Sequence, residues 1–260
     1  MPKQLVAIGD LHGDLAVTRR ALRLAGAIDE RDRWVGAGLV VVQTGDTIDR
    51  GDDDRAVLEL LERLRGEAQA VGGELLVLSG NHELMNVGGD LRYVSPASFA
   101  SFSGEEGRRD AFRPGGAYAR MLASRPLYVK VGDTIFVHGG LRTQHVAYGL
   151  ERLQAETRAW LLGQRPTPPA PIRSDEGPVW TRLYSQPSPP PAACEELASV
   201  LQALGAKRMV VGHTVQEGGI TTACEGRVHR IDVGMSRAYG GPTQVLAIVD
   251  GAPEVRVAPP

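Results

Sequence analysis

An α/β fold on a largely parallel sheet is what this sequence predicts. Two observations carry the prediction. Leu5 to Ile8, Leu39 to Val42 and Leu75 to Leu78 are short apolar runs, and stretches of helical periodicity separate them. Each run leads into a Gly-Asp or Gly-Asn pair. Parallel strands are buried on both faces and so read as continuous apolar runs. A β-α-β-α-β order stacks helices on such a sheet and gathers ligands at the carboxyl ends of its strands.

The first helix is expected over Asp14 to Leu24, where Leu15, Leu22 and Ala25 recur at helical spacing and Gly26 marks the stop. The second covers Asp53 to Leu64. Val57, Leu58, Leu61 and Leu64 share one face, and Asp53 and Asp54 suit the positive end of the helix dipole. Residues 84 to 125 are mixed and Gly-rich, with only a helix near Ala117 to Ala123 standing out. Leu127 to Val131 and Thr134 to Val137 flank Gly132-Asp133, a hairpin turn. A helix from about Leu150 to Leu162 follows. Pro166 to Pro191 holds too many breakers for regular structure and reads as a long surface loop. Glu195 to Leu204 is helical, and Met209 to Val211 is a strand. Gly219 to Ala223, Val228 to Val233 and Val245 to Val249 are the last β runs. The chain is therefore expected to be one domain over 1–260, with an insertion at about 84–125 and a proline-rich loop at about 165–193.

Composition excludes several functions. A chain of 260 residues, 42% apolar and 23% charged, can bury a core. Its net charge of −2 offers no field to attract nucleic acid or acidic lipid, and it has no long basic run. No stretch approaches the roughly 18 apolar residues of a membrane span. Met1-Pro2-Lys3-Gln4 is expected to run straight into the first strand, so no signal peptide is expected. Cys194 and Cys224 match no metal spacing and are expected to be buried or idle thiols in a reducing cytoplasm. The oligomeric state is left open.

The chemistry lies in five motifs: Gly9-Asp10-Leu11-His12-Gly13, Gly45-Asp46-Thr47-Ile48-Asp49-Arg50-Gly51, Gly80-Asn81-His82-Glu83, His138-Gly139-Gly140 and Gly212-His213-Thr214. Each opens beside an apolar run. Together Asp10, Asp46, Asn81, His12, His138 and His213 offer oxygen and nitrogen donors with no thiolate. That set suits a pair of divalent first-row metals. Asp10 and His12 lie two residues apart, so on an extended strand end they point the same way and grip one metal. Asp46 has two oxygens and can bridge. Asn81 offers a neutral amide oxygen, and His138 and His213 complete the second metal. Two such ions with two carboxylates leave a surplus of positive charge suited to a phosphate ester.

His82 follows a ligand and so lies beside the metals, placed to protonate a leaving alkoxide. Asp49 is placed to orient it and raise its pKa. Arg50 carries a planar fork for phosphate oxygens, and Arg182, within Gly177-Pro178-Val179-Trp180-Thr181-Arg182, is a second candidate clamp delivered by a flexible loop. Arg92 and Tyr93 are candidates for the substrate side. Taken singly, each motif reads as a strand-end turn or helix cap; their joint occurrence is what argues for function. His145 and His229 fall outside the motifs and are read as structural.

At these residues the chain resembles the phosphoprotein phosphatase branch of the calcineurin-like metallophosphoesterases. Asp-Arg-Gly after the bridging aspartate separates that branch from nucleases and phosphodiesterases of the superfamily. Asn86-Val87-Gly88-Gly89-Asp90-Leu91-Arg92-Tyr93-Val94 and Asp232-Val233-Gly234-Met235-Ser236 are similar to segments of the bacterial-type Shewanella-like phosphatases. The resemblance implies a four-layer α/β/β/α sandwich with mixed sheets and metals between them. It implies Asp10, His12 and Asp46 on one metal and Asp46, Asn81, His138 and His213 on the other. It also implies His82 with Asp49 as the acid pair and Arg50 on the phosphate. The chain lacks the Ser-Ala-Pro-Asn-Tyr segment of the eukaryotic serine/threonine enzymes, so their toxin sensitivity and regulatory subunits are not carried over.

The expected activity is a metal-dependent phosphomonoesterase that dephosphorylates phosphoproteins at Ser/Thr or Tyr. A metal-activated hydroxide attacks phosphorus in line while His82 protonates the leaving group. The metals are expected to be manganese, with iron or zinc as alternatives. One alternative is a hydrolase of diadenosine polyphosphates or other small phosphate esters. Another is an inactive phosphopeptide-binding module, which would need no general acid. A nucleic-acid phosphodiesterase would need basic or aromatic tracts that the sequence lacks.

Overall fold

The computed structural model describes residues 4–259; Met1 to Lys3, which were expected to run into the first strand, and Pro260 lie outside the described residues. The chain opens as predicted, with β1 (Gln4–Ile8), α1 (Leu15–Leu24), β2 (Leu39–Gln43), α2 (Asp54–Ala70) and β3 (Glu74–Val77). Asp14 caps α1, its carboxylate accepting from the Val17 N–H at 3.0 Å. The second helix runs past Leu64 to Ala70, because its next residues are mostly good helix formers and the chain turns only at Gly72, with φ 74°.

Residues 81–122 fold into four short helices: α3 (Asn81–Val87), α4 (Pro96–Ser101), α5 (Glu105–Phe112) and α6 (Ala117–Leu122). Helices of six to eight residues are too short to print a clear 3.6-residue period, so only the last was legible. Next come β4 (Tyr128–Val131), β5 (Thr134–Val137), α7 (Thr143–Tyr148) and α8 (Leu150–Leu161).

The proline-rich segment departs from expectation. It is not a surface loop throughout: it contains a 3-10 turn at Ala170–Arg173 and buries Ile172, Val179 and Tyr184. Prolines bar ladders and long helices but do not prevent burial of the apolar residues between them. Pro191 opens α9 (Pro191–Ala203), four residues before the expected start, since a proline at the first helical position loses no helical bond. The chain ends with β6 (Arg208–Val211), β7 (Thr221–Ala223), β8 (Val228–Arg230), β9 (Gln244–Val249) and β10 (Ala252–Val257). The last strand was unforeseen. Asp250 and Gly251, both at positive φ, turn a tight hairpin into it. Pro253 is tolerated there because β10 is a sheet edge.

Two mixed five-stranded sheets result, ordered β10-β9-β1-β2-β3 and β4-β5-β6-β8-β7. Within them β1, β2 and β3 are parallel, as are β5, β6 and β8. The alternation of side chains defines the layers. Val6, Ile8 and Val41 pack outward against α1 and α2, while Leu5, Ala7 and Val42 face inward. Ile135, Val137, Met209 and Val211 pack outward under α9, while Phe136 and Val210 face inward and meet Leu5 and Ala7 in one core. The order is helix, sheet, sheet, helix. A further apolar cluster joins Phe102, Phe112 and Leu122 to Trp160, Ile172 and Val179, so the short helices and the proline-rich segment pack on each other. Among the described residues no helix is long and apolar enough to cross a membrane.

The cysteines correct the sequence reading. Cys194 in α9 and Cys224 in the β7–β8 turn form a disulfide, with Cα atoms 5.2 Å apart. No spacing rule finds a single pair joined by the fold, and bonded pairs are uncommon in a reducing cytoplasm. Thiol titration of the unfolded, unreduced protein should therefore find no free thiol. The bridge closes a loop of 30 residues, so replacing both cysteines by alanine should cost about 3–4 kcal/mol in urea unfolding. Two titratable thiols, or a double variant of unchanged stability, would show that the bridge does not form.

Candidate active site

The carboxyl ends of parallel strands from both sheets meet at one seam. β1, β2 and β3 deliver Asp10, Asp46 and Asn81, while β5 and β6 deliver His138 and His213. β8 delivers Asp232, which sequence reasoning quoted within a segment but gave no role. All six are at least nine-tenths buried.

The backbone bends hard to do this. His12, Asp46, Asp49, Arg50 and His213 all have φ between 45° and 72°. Such conformations cost energy in non-glycine residues and gather at functional sites. They also correct one detail: Asp10 and His12 come together through a turn, not through strand alternation. The Leu11 and His12 N–H groups both donate to the Asp46 carbonyl at 3.0 Å, which ties the first two motifs into one knot. Glycine is required beside it, since a Cβ on Gly80 would lie 2.2 Å from Asp46 Oδ1 and 2.5 Å from its backbone nitrogen.

Asp46 is the hub. Its Oδ1 accepts from the His82 N–H at 3.0 Å. Its Oδ2 lies 3.2 Å from His138 Nε2 and 3.9 Å from both His12 Nε2 and His82 Nε2. Burial opposes its charge, but His138 first and then the other imidazoles hold its carboxyl well below the usual range. Asp10 has the opposite fate. Burial, then Asp232, then Asp46 push it well above its ordinary value. Asp232 is pushed up to about 6, chiefly by burial.

The donor set fits metal cations. His138 Nδ1 lies 3.0 Å from the Thr44 carbonyl and must donate to it; in the neutral ring its Nε2 then faces Asn81 Oδ1 at 2.9 Å and Asp46 Oδ2 with a lone pair. Three electron-rich atoms there require a cation or a proton between them. His213 Nε2 is buried and, among the described residues, has no hydrogen-bond partner. Burial lowers His213 to about 3 and His12 to about 4, so both are neutral and available as ligands. Two overlapping groups, His12-Asp46-His82 and Asp46-His138-His213, bring their donor atoms within 4.8 Å of one another and share Asp46.

His82 is in reach of the hub but differs from the other histidines. Its Nδ1 lies 2.7 Å from Asp49 Oδ2. Burial disfavours its charge, yet Asp46 and then the Asp49 hydrogen bond overcome this and raise it to about 9. Behind it, Asn86 Nδ2 donates to both Asp49 oxygens at 3.0 and 3.1 Å and to the His82 carbonyl at 2.9 Å.

Sequence reasoning also missed Glu83. It is fully buried, and its carboxylate accepts from the N–H groups of Asp46, Thr47 and Gly80 and from the Thr47 hydroxyl. Its position three residues after Gly80, at the start of α3, was the available signal. It braces the Asp46 loop.

Above the hub is a cavity of about 110 Å³ whose lining includes His12, Asp46, His82, Arg50, Arg182 and Asp232, with Tyr93, Trp180 and Tyr239 as aromatic walls. The Arg50 guanidinium lies 4.1 Å from the Tyr93 ring centroid and 5.8 Å from that of Tyr239. Arg182 is anchored rather than loosely delivered: its Nη1 donates to the His213 carbonyl at 2.8 Å and to Thr214 Oγ1 at 3.1 Å. Arg92 turns to Asp90 at 2.6 Å and does not join the lining. His145 accepts from the Arg142 N–H at a helix start, and His229 is buried in β8; both lie away from the seam. A larger cleft of about 480 Å³, with Leu84, Met85, Trp160 and Ile172 among its apolar walls and Arg173 and Asp175 among its polar ones, shares Trp180 with the cavity.

Comparisons with known proteins agree with this geometry. The calcineurin-like phosphoesterase family matches residues 3–217. Shewanella-like protein phosphatase 2 of Arabidopsis thaliana is 38% identical, over 98% of this chain and 74% of its own. Shewanella-like protein phosphatase 1 of Plasmodium berghei (strain Anka) is 32% identical, over 92% of this chain and 69% of its own. The crystal structure of a cold-active protein-tyrosine phosphatase of a psychrophilic Shewanella species superimposes with a TM-score of 0.84 at 27% identity, covering 99% of this chain and 78% of that one.

If Asp46 is the hub, Asp46→Asn should lower bound metal, read by plasma emission after equilibrium dialysis, by more than the roughly 10- to 100-fold that loss of a residue behind a ligand costs. Gly80→Ala should act in the same direction by displacing Asp46, and His145→Gln should leave metal content unchanged. Retention of two ions per chain by Asp46→Asn would remove it from the centre of the site.

Proposed function

The chain belongs to the calcineurin-like phosphoesterase family, and from that membership we propose that it is a metal-dependent protein phosphatase, a hydrolase of phosphate monoesters on protein side chains. The observation that carries this reading is the His82–Asp49 pair set beside the shared Asp46. A phosphate-binding module has no use for an oriented proton donor next to a metal-ligand cluster.

We assign Asp10, His12 and Asp46 to one cation and Asp46, Asn81, His138 and His213 to the other, with manganese as the preferred occupant of this oxygen-rich set. Two such cations supply Lewis-acid activation of water and neutralise phosphoryl charge when bound. The remaining work falls to the chain's own side chains. His82 donates through Nδ1 to Asp49, which leaves Nε2 directed at the cavity to give its proton to the departing oxygen. Asp49 keeps the ring oriented and favours its charged form. Arg50, held by its N–H to the Tyr93 carbonyl at 2.8 Å and stacked on the Tyr93 ring, presents its fork to phosphate oxygens. Arg182, fixed on the His213 carbonyl, approaches from the other wall.

Two features favour a polypeptide over a small dinucleotide as substrate. Trp180 is shared by the polar cavity and a larger cleft of mixed polarity that suits side chains flanking the phosphorylated residue. The two Shewanella-like protein phosphatases and the Shewanella protein-tyrosine phosphatase, at 27–38% identity over 92–99% of this chain, also support a protein substrate. A panel of phosphoserine, phosphothreonine and phosphotyrosine peptides, a phosphodiester and diadenosine tetraphosphate, each with Mn²⁺, Fe²⁺ or Zn²⁺, tests the reading directly. Phosphopeptides should be turned over fastest and chelation should abolish activity, with Mn²⁺ restoring most. Preference for the dinucleotide, or full activity after metal stripping, would overturn it.

The acid has its own signature. His82→Asn should lower kcat on a phosphoserine peptide by roughly 10²–10⁴-fold. The loss should shrink for para-nitrophenyl phosphate, whose leaving group hardly needs a proton. A variant that instead loses a metal ion would make His82 a ligand. Tyr93 bears on specificity: Tyr93→Ala removes both the aromatic wall and the stack beneath Arg50, and should change the ratio of phosphotyrosine to phosphoserine turnover at constant metal content. An unchanged ratio would take it out of substrate selection.

A further inference from the structure

The short helices over residues 96–122 bury one charged residue that the reaction above leaves unused. Arg108 is 0% exposed. Its guanidinium carbon lies 4.3 Å from the Phe112 ring centroid and 4.7 Å from that of Phe102. A buried cation is costly unless it is fully paired. Its pairing here converges on one residue. Nη2 is 3.4 Å from Asp49 Oδ1. Nε donates to Asn86 Oδ1 at 2.9 Å, which turns the Asn86 amide nitrogen toward both Asp49 oxygens. Nη1 is 2.9 Å from Asp54 Oδ2, and the other oxygen of Asp54 accepts from the Asp49 backbone N–H at 2.9 Å.

The guanidinium thus reaches Asp49 directly, through its amide partner and through its own backbone. We propose that Arg108 is a positioning residue for the general acid: it locks Asp49 in the single orientation that directs His82 Nε2 into the cavity. The proposal rests on the reading of His82 as the acid. It gives the helices inserted after the Asn81 motif a task, since they carry both Arg108 and the aromatic rings that confine it. A lysine cannot replace it. An ammonium is a point charge, and it cannot serve Asn86, Asp49 and Asp54 together as a planar fork does.

The test measures kcat of Arg108→Lys on a phosphoserine peptide and on para-nitrophenyl phosphate, alone and combined with His82→Asn, with metal content and melting followed in parallel. Misplacing a catalytic group by about an ångström costs on the order of 100-fold. Arg108→Lys should therefore lose roughly 10- to 100-fold on the peptide and little on the aryl ester. In the His82→Asn background it should add no further loss, because the group it positions is gone. Equal losses on both substrates, or the same loss in both backgrounds, would overturn the proposal while leaving the acid reading intact. A flat leaving-group response in His82→Asn itself would overturn the acid reading and this proposal with it. If Arg108→Lys does not fold, Asn86→Ala cuts the relay between Arg108 and Asp49 and must show the same contrast between substrates; uniform losses there would overturn the proposal equally.

Discussion

Everything in this structure depends on negative charge buried where two sheets meet. Asp10, Asp46 and Asp232 converge at the seam, and the arginines nearest to them, Arg50 and Arg182, stay at the solvent side. Like charges withdrawn from water repel and cannot all remain ionised. The chain answers in part by lowering Asp46 with imidazoles and letting Asp10 and Asp232 rise. Such an arrangement is unfavourable for folding alone and becomes sensible when divalent cations complete it. The strained turns and the close-packed glycines follow from the same constraint, since they bring short acidic side chains to a common point.

Around that point the molecule is arranged in shells of increasing indirectness. Glu83 braces the loop that carries Asp46 through three hydrogen bonds and ties it to Gly80 through a fourth. Asn86 steadies Asp49, which steadies His82. Each outer contact has meaning only through the one inside it. The proline-rich segment plays the corresponding part on the opposite wall. It buries Val179 and Tyr184 so that Trp180 and Arg182 sit at fixed places beside His213.

The sequence made the inner shell legible because candidate ligands at strand ends are local features: a residue type, a glycine and an apolar run. The first three strands and the helices α1 and α2 between them were legible from equally local patterns. What stayed hidden was non-local. Glu83, Arg108 and Asp232 draw their roles from partners tens to hundreds of residues away, and a buried arginine looks like any surface arginine in a string of letters. The Cys194–Cys224 bridge and the burial of the proline-rich segment depend on packing in the same way. The strand β10 had a local signal in Asp250-Gly251, but its proline and charged residues masked it, as they do on many sheet edges.

The central place of β1 in its sheet has a consequence for how the protein is made. It lies between β2, which follows it closely, and β9, which pairs Gln4 with Val249. During synthesis the strands β1, β2 and β3 leave the ribosome well before β9 and stand as a half-sheet with one flank bare. That flank stays open until β9 has emerged. Bare strand edges invite pairing with other chains, and contacts this distant in sequence close slowly. Biogenesis is therefore exposed to aggregation at β1 for as long as β9 is missing, and a nascent-chain chaperone or early metal would have the most to protect there.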